Sequence, residues 1–101
     1  MHFGLQVEEA LDGQQAYEKI KLKKYDIVIT DLKMPKLSGD ALIRKLINEG
    51  HNDLKFIVIT GGIATEYSKE QRDQIRNLAH YYFKKPFSEN QISQAISEIL
   101  E

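Results

Sequence analysis

Two short runs, Asp26-Ile-Val-Ile-Thr30 and Lys55-Phe-Ile-Val-Ile-Thr60, constrain this chain most. Both are rich in β-branched residues, and neither alternates apolar with polar. A strand with one wet face alternates; a strand covered on both faces reads as a continuous apolar run. Covering both faces requires helices, and helical patterns lie on either side of each run. Ala16 and Ile20 are spaced i, i+4 within Gln14–Lys24, whose closing lysines Lys21, Lys23 and Lys24 suit a helix C-terminus and otherwise a solvated face. Ser38 is placed to N-cap a helix from Asp40 to Glu49, with Leu42, Ile43, Leu46 and Ile47 on one face and Gly50 as its stop. Thr65 to Leu78 reads as a polar helix whose buried stripe is limited to Tyr67, Ile75 and Leu78. Ser88 to Gln91 fits a capping box, with Phe87 stapling against Ile92 and an apolar face of Ile92, Ile96, Ile99 and Leu100.

Two weaker strands complete the pattern. Gly4–Ala10 partly alternates, as a more exposed strand would, and His80–Phe83 is short and aromatic. The order β-α-β-α-β-α-β-α predicts an α/β fold, a parallel sheet with helices on both faces, in a single domain over 1–101. In such sheets the functional groups gather at the carboxyl ends of the strands. Asp31 stands at one such end, Thr60 at a second and Lys85 just past a third.

A carboxylate, a hydroxyl and an amine on one edge suit phosphoryl chemistry. The carboxylate attacks phosphorus to give an acyl phosphate, and nearby cations neutralise the phosphoryl oxygens. Lys85 supplies a cation and Thr60 a hydrogen bond. Gly61 leaves the approach open, and Gly62 lets backbone N–H groups face an anion. Each residue also has a plainer use. Strand-end aspartates cap turns, threonine is a common strand residue, and Tyr82 suits ordinary edge packing. Lys-Pro after a buried strand has little packing rationale, which makes Lys85 the more telling residue.

The other features are negative. A net charge of −1 offers no pull toward nucleic acid or an anionic membrane, and no basic recognition helix is present. The absence of cysteine excludes disulfides and thiolate metal sites. His2, His51 and His80 match no metal-ligand spacing. No apolar run is long enough to span a membrane, and the N-terminus lacks the build of a signal peptide, so a cytoplasmic protein is expected.

In order along the chain stand Asp12-Gly13, D-L-K-M-P from Asp31 with Gly39 eight residues on, V-I-T-G ending at Gly61, and Y-F-K-K-P-F ending at Phe87. Together these motifs resemble the response-regulator receiver domains of two-component signalling, and the likeness covers nearly the whole chain. It implies a flavodoxin-like receiver fold with Asp31 as phosphoacceptor, Thr60 as switch hydroxyl, Lys85 as phosphoryl-binding lysine and Tyr82 as switch aromatic. It also implies a cis Lys85-Pro86 bond and Mg²⁺ held by Asp31 and the backbone carbonyl of Lys33. The implied partners are a histidine kinase or phosphotransfer protein and a downstream target or output domain outside this chain. No turnover of an external substrate is expected. In the two-state mechanism of such domains, phosphorylation draws Thr60 inward, Tyr82 follows, and the surface of the Thr65–Leu78 helix and Tyr81–Phe83 strand changes its partners.

The chain departs from the family at its front. Receiver domains open with a further strand, ending in two metal-binding acids, and a helix. That strand lies between those matching Leu5–Ala10 and Asp26–Thr30. A unit of about 25 residues is therefore lacking. Three accounts follow. The true protein is longer; or this is a pseudo-receiver that docks without phosphorylation; or Leu5–Ala10 moves beside Ile27–Ile29 and Glu8, Glu9 or Asp12 replaces the acids. Losing the helix would uncover one sheet face beside the last helix, and a homodimer or strand-exchanged dimer is expected to cover it. Two smaller departures are Leu78 where a glycine is usual and extra residues within Gly61–Thr65. A phosphohydrolase working through an aspartyl phosphate is a further alternative, disfavoured by Lys33 where that class places its second acid.

Overall fold

The computed structural model describes residues 8–32, 36–61 and 67–100. Among these described residues seven elements follow one another: α1 (Gly13–Leu22), β1 (Ile27–Asp31), α2 (Gly39–Asn48), β2 (Lys55–Thr60), α3 (Lys69–Leu78), β3 (Tyr81–Lys84) and α4 (Glu89–Leu100). The three strands form one parallel sheet in the order β1-β2-β3. Asp31 stands opposite Ile59, and Thr60 opposite Lys84. The ends of all three strands therefore meet at one edge.

Strand alternation sorts the core into two layers. Phe56 and Val58 pack with Leu42, Leu46 and Ile75 on the face that α1, α2 and α3 cover. Ile57 packs with Ile92, Ala95 and Ile96 of α4 on the other. Phe56, Ile57 and Val58 are fully buried, as their unbroken apolar run requires. Burying each contributes about 1.5–3 kcal/mol, which makes β2 the anchor of the sheet. Helix α2 buries Leu42, Ile43 and Leu46 as its spacing predicts, while Ile47 stays 37% exposed.

Helix ends follow local chemistry. Asp12 caps α1 by accepting the Gln15 N–H at 2.8 Å. The expected box before α4 is present: Ser88 Oγ accepts from the Gln91 N–H, and Gln91 Oε1 from the Ser88 N–H. Ser38 has N-cap backbone geometry but makes no side-chain cap bond. Helix α3 begins at Lys69 rather than Thr65, because Ser68 and Gln71 form a second capping box. Helix α1 ends at Leu22, two residues before Lys24. Strand β3 begins at Tyr81 rather than His80. The His80 side chain lies against the start of β2, and its Nδ1 accepts the Phe56 N–H at 3.1 Å.

The front of the chain corrects the expected strand at Gly4–Ala10. Residues 8–10 are not strand, and 4–7 lie outside the described residues. Glu8–Ala10 do not pair with Ile27–Ile29 either, so the described part of this segment does not make the move that the third account allows. A cleft of about 770 Å³ separates them, lined by Glu8, Glu9 and Asp12 on one side and Ile27–Thr30 on the other. On the α4 face the sheet is partly bare, with Ile29 44% exposed.

Candidate functional site

The carboxyl edge of the sheet gathers the predicted residues. Asp31 ends β1, and the chain then folds back tightly. Leu32 is buried, and its carbonyl accepts the Gly39 N–H at 2.9 Å. Gly39 must be glycine, since a Cβ there would lie 2.1 Å from the Asp31 carbonyl oxygen. Gly39 thus clamps the turn that presents Asp31. Next to it, a Cβ on Gly13 would lie 2.0 Å from the Leu37 carbonyl oxygen. The Asp12-Gly13 motif is in this way fixed against the same loop.

Lys85 crosses from the end of β3 to Asp31. Its Nζ donates to Asp31 Oδ2 at 2.9 Å. The two side chains are 49% and 33% exposed, so a ligand can reach both. The Lys85 N–H donates to the Thr60 carbonyl at 2.8 Å, which holds the lysine beside β2, and the Lys85-Pro86 bond is cis as expected. A Cβ on Gly61 would come within 3.5 Å of Lys85 Cδ, an ordinary contact. Gly61 therefore leaves the lysine stem unhindered.

Thr60 is completely buried, and its Oγ1 has no hydrogen-bond partner among the described residues. Most buried hydroxyls are paired, and an unpaired one is costly. By alternation Thr60 continues the Phe56–Val58 face. Tyr82, in register with Val58, packs on that same face. The Tyr82 ring is half-buried and carries the Arg76 guanidinium 4.9 Å from its centroid. Arg76 had no signal in the sequence. Its six-residue separation from Tyr82 spans the end of a helix and a turn, and periodicity does not reach across that boundary. Lys36 was also missed. It adopts a φ of 68°, rare for lysine, and pairs with Asp12 Oδ2 at 3.6 Å.

Lys33 and Gly62 lie outside the described residues, so their expected roles at a metal and a phosphate have no structural counterpart here. The proposed replacements for the acid pair do not assemble. Glu8 accepts from the Tyr25 hydroxyl at 2.7 Å and Lys23 Nζ at 2.9 Å. These two partners hold its carboxyl below the usual range. Tyr25 precedes β1, which puts Glu8 roughly 20 Å from Asp31 along the strand. The Glu9 carbonyl takes Lys19. Asp12 lies at the right edge, but it caps α1 and faces Lys36. The Gln15 N–H, helped by Lys36, holds its carboxyl below the usual range. Among the described residues no three acids or histidines converge to hold a metal ion. Mg²⁺ is usually held by one or two carboxylates together with waters and phosphate oxygens, and Asp31 is the described carboxylate at the strand ends that would serve it.

The site and fold together define an α/β protein with a carboxylate–lysine pair at a sheet edge, and comparison with known proteins names the class. The family model "Response regulator receiver domain" matches residues 2–97. The chain belongs to that family. It is 38% identical over 94 residues to the uncharacterized transcriptional regulatory protein YesN of Bacillus subtilis, covering 93% of this chain and 24% of YesN. It is 32% identical over 100 residues to the sensor kinase CckA of Brucella abortus, covering 97% of this chain and 10% of CckA. The chain thus spans a quarter or less of these relatives. Among solved structures, a CheY-like receiver domain from Methanospirillum hungatei superposes with a TM-score of 0.79 at 25% identity, over 96% of this chain and 74% of the other. The response regulator TrrA of Thermotoga maritima, solved in complex with Mg²⁺-BeF, superposes with a TM-score of 0.70 at 27% identity, over 89% and 73%. No described helix is long and apolar enough to cross a membrane.

Proposed function

We propose that this receiver domain accepts a phosphoryl group on Asp31 from a phosphohistidine of a kinase or phosphotransfer protein. The observation that carries this reading is the 2.9 Å contact from Lys85 Nζ to Asp31 Oδ2 at an accessible sheet edge. An Asp31 oxygen attacks phosphorus in line. The bond from phosphorus to the donor's imidazole nitrogen breaks, and that nitrogen leaves with the electron pair and takes up a proton. Lys85 shifts from the carboxylate to the phosphoryl oxygens and offsets their charge. Thr60, buried without a hydrogen-bond partner among the described residues, then has an acceptor to meet. Tyr82 repacks on the same face and changes the α3–β3 surface offered to a target protein. The domain turns over no external substrate.

The test is intact-mass spectrometry after incubation with acetyl phosphate and Mg²⁺, alongside Asp31→Ala. A single phosphoryl adduct, lost in the variant, is expected. A folded chain that gains no adduct overturns the proposal. It would favour the second reading, a pseudo-receiver that docks through its α3–β3 face without phosphorylation. The lack of converging metal-binding acids among the described residues supports that second reading.

A further inference from the structure

The Tyr82 ring has two unlike neighbours. It packs against the buried layer that contains Phe56, Val58 and Ile75. The guanidinium of Arg76 lies 4.9 Å from the ring centroid, within reach of a cation–π contact. Arg76 is exposed, so the cation keeps its water while it meets the ring. Its root is fixed, because Ile75 beside it is 1% exposed and ties this end of α3 to the same layer.

Chain geometry makes this contact depend on where the ring sits. Ala79 and His80 alone separate α3 from β3, so the last turn of α3, with Arg76, stands at the amino end of the strand. Thr60 stands at the other end, opposite Lys84. Tyr82 lies between them, two residues or about 7 Å before Lys84. A ring that moves toward Thr60 therefore moves away from Arg76. From 4.9 Å, a retreat of about 1 Å takes the centroid to the limit of roughly 6 Å over which the contact acts. The guanidinium cannot follow far, because that would draw its charge over the buried layer and out of water.

We propose that Arg76 is a latch: it holds the Tyr82 ring in its resting place and so sets how readily a phosphoryl group on Asp31 moves it. This rests on the switch proposed above and names the residue that opposes it. Arg76 acts through Tyr82, as a positioning residue. An exposed cation–π contact biases the two ring positions by about two- to fivefold. The phosphoryl group favours the position that the latch disfavours. Removing the latch therefore tightens the site for that group by up to the same factor. Arg76 also complements the dipole at the end of α3, and the experiment separates the two roles.

The full chain is titrated with beryllofluoride in excess Mg²⁺, a phosphoryl mimic that does not turn over, beside Arg76→Met and Arg76→Lys. Fluorine NMR of the bound mimic reads affinity. Fluorotyrosine labelling, assigned with Tyr82→Phe, reads ring position. In Arg76→Met the half-saturating concentration should fall about two- to fivefold, and the resting Tyr82 signal should shift toward its saturated position. Arg76→Lys keeps a charge in the last turn of α3 but loses the planar stack, and should lie between. With Tyr82→Leu already in place, Arg76→Met should change nothing. Damage to the helix end alone would not tighten binding. Unchanged or weaker affinity in Arg76→Met overturns the proposal, and so does equal tightening in the Tyr82→Leu chain. In either case the switch stands if Tyr82 moves in the unaltered chain. If the unaltered chain does not bind the mimic, or binds it without moving Tyr82, the switch itself fails and the latch with it.

Discussion

Thr60→Val tests whether the resting site holds an unsatisfied hydroxyl. Thr60 is completely buried and its Oγ1 has no hydrogen-bond partner among the described residues. A buried hydroxyl without a partner costs about 1–3 kcal/mol. Valine keeps the branched shape and removes the polar atom, so the variant should gain about 1 kcal/mol, allowing for imperfect packing of the new methyl. In a domain this small that raises Tm by about 4–8 °C, and in urea it moves the midpoint up with an unchanged slope. Thr60→Ser, which keeps the hydroxyl, should show no such gain. Phosphorylation supplies the second arm. Thr60→Val should still accept phosphoryl from acetyl phosphate, yet lose the spectral change at Tyr82 that the proposed switch is expected to give. A loss of about 1 kcal/mol or more in the unphosphorylated valine variant would refute the reasoning, because it would mean the hydroxyl already has a partner.

Lys85→Met should change stability by less than about 1 kcal/mol, since the pair with Asp31 is exposed, but should sharply slow adduct formation in the mass assay. Gly39→Ala should destabilise by about 1–3 kcal/mol in urea melts, because its Cβ would meet the Asp31 carbonyl at 2.1 Å. Gly61→Ala, with 3.5 Å to Lys85 Cδ, should leave stability nearly unchanged in the same melts. Ser68→Ala should cost about 1 kcal/mol by removing the α3 cap. For pH, burial and then Lys55 push His80 below the usual imidazole range, and its Nδ1 must stay unprotonated to accept the Phe56 N–H. The unfolded chain then binds more protons between the lowered pKa and about 6.5, so stability falls as pH drops through that window. His80→Gln should flatten this slope in melts run from pH 7.5 to 5.5.

The doubly covered β2, the helix faces and the Asp31–Lys85 pairing were legible because each rests on a local pattern tied to one fold rule, whereas β1, with the same kind of run, leaves Ile29 44% exposed. Non-alternating runs mean two covered faces, and parallel strands put their ends together. The α3 start was placed at Thr65 although S-K-E-Q carries the capping signal that starts the helix at Lys69. The strand at Gly4–Ala10 failed at residues 8–10 for a tertiary reason. A strand needs a neighbour at hydrogen-bonding distance, and a cleft separates these residues from β1. Alternation alone cannot report that. The substitutes for the metal-binding acids failed for a related reason. Glu8, Glu9 and Asp12 were grouped by sequence proximity, but Glu8 is held by Tyr25 and Lys23 while Asp12 caps α1, which keeps these carboxylates apart.

The same parity that sorts the core bears on how the site could signal. Ile27 packs on the α4 face, so alternation assigns Asp31 to that side of β1. Val58 and Tyr82 pack on the opposite face, with Thr60 continuing it. A phosphoryl group on Asp31 and the aromatic expected to respond therefore belong to different layers of the sheet. Coupling between them must pass around the carboxyl edge rather than through the fully buried β2 core. Gly61 and Lys85 occupy that edge, with Lys85 anchored by its backbone to Thr60 and by its side chain to Asp31. Lys85 is thus the residue joined directly to both. Moving its ammonium from carboxylate to phosphoryl group alters the restraint beside Thr60 without requiring the core to repack. On this argument Lys85→Met should uncouple Tyr82 from the site even when forcing conditions still phosphorylate Asp31. Tyr82 fluorescence that continues to follow adduct formation in that variant would show that the coupling runs by another route.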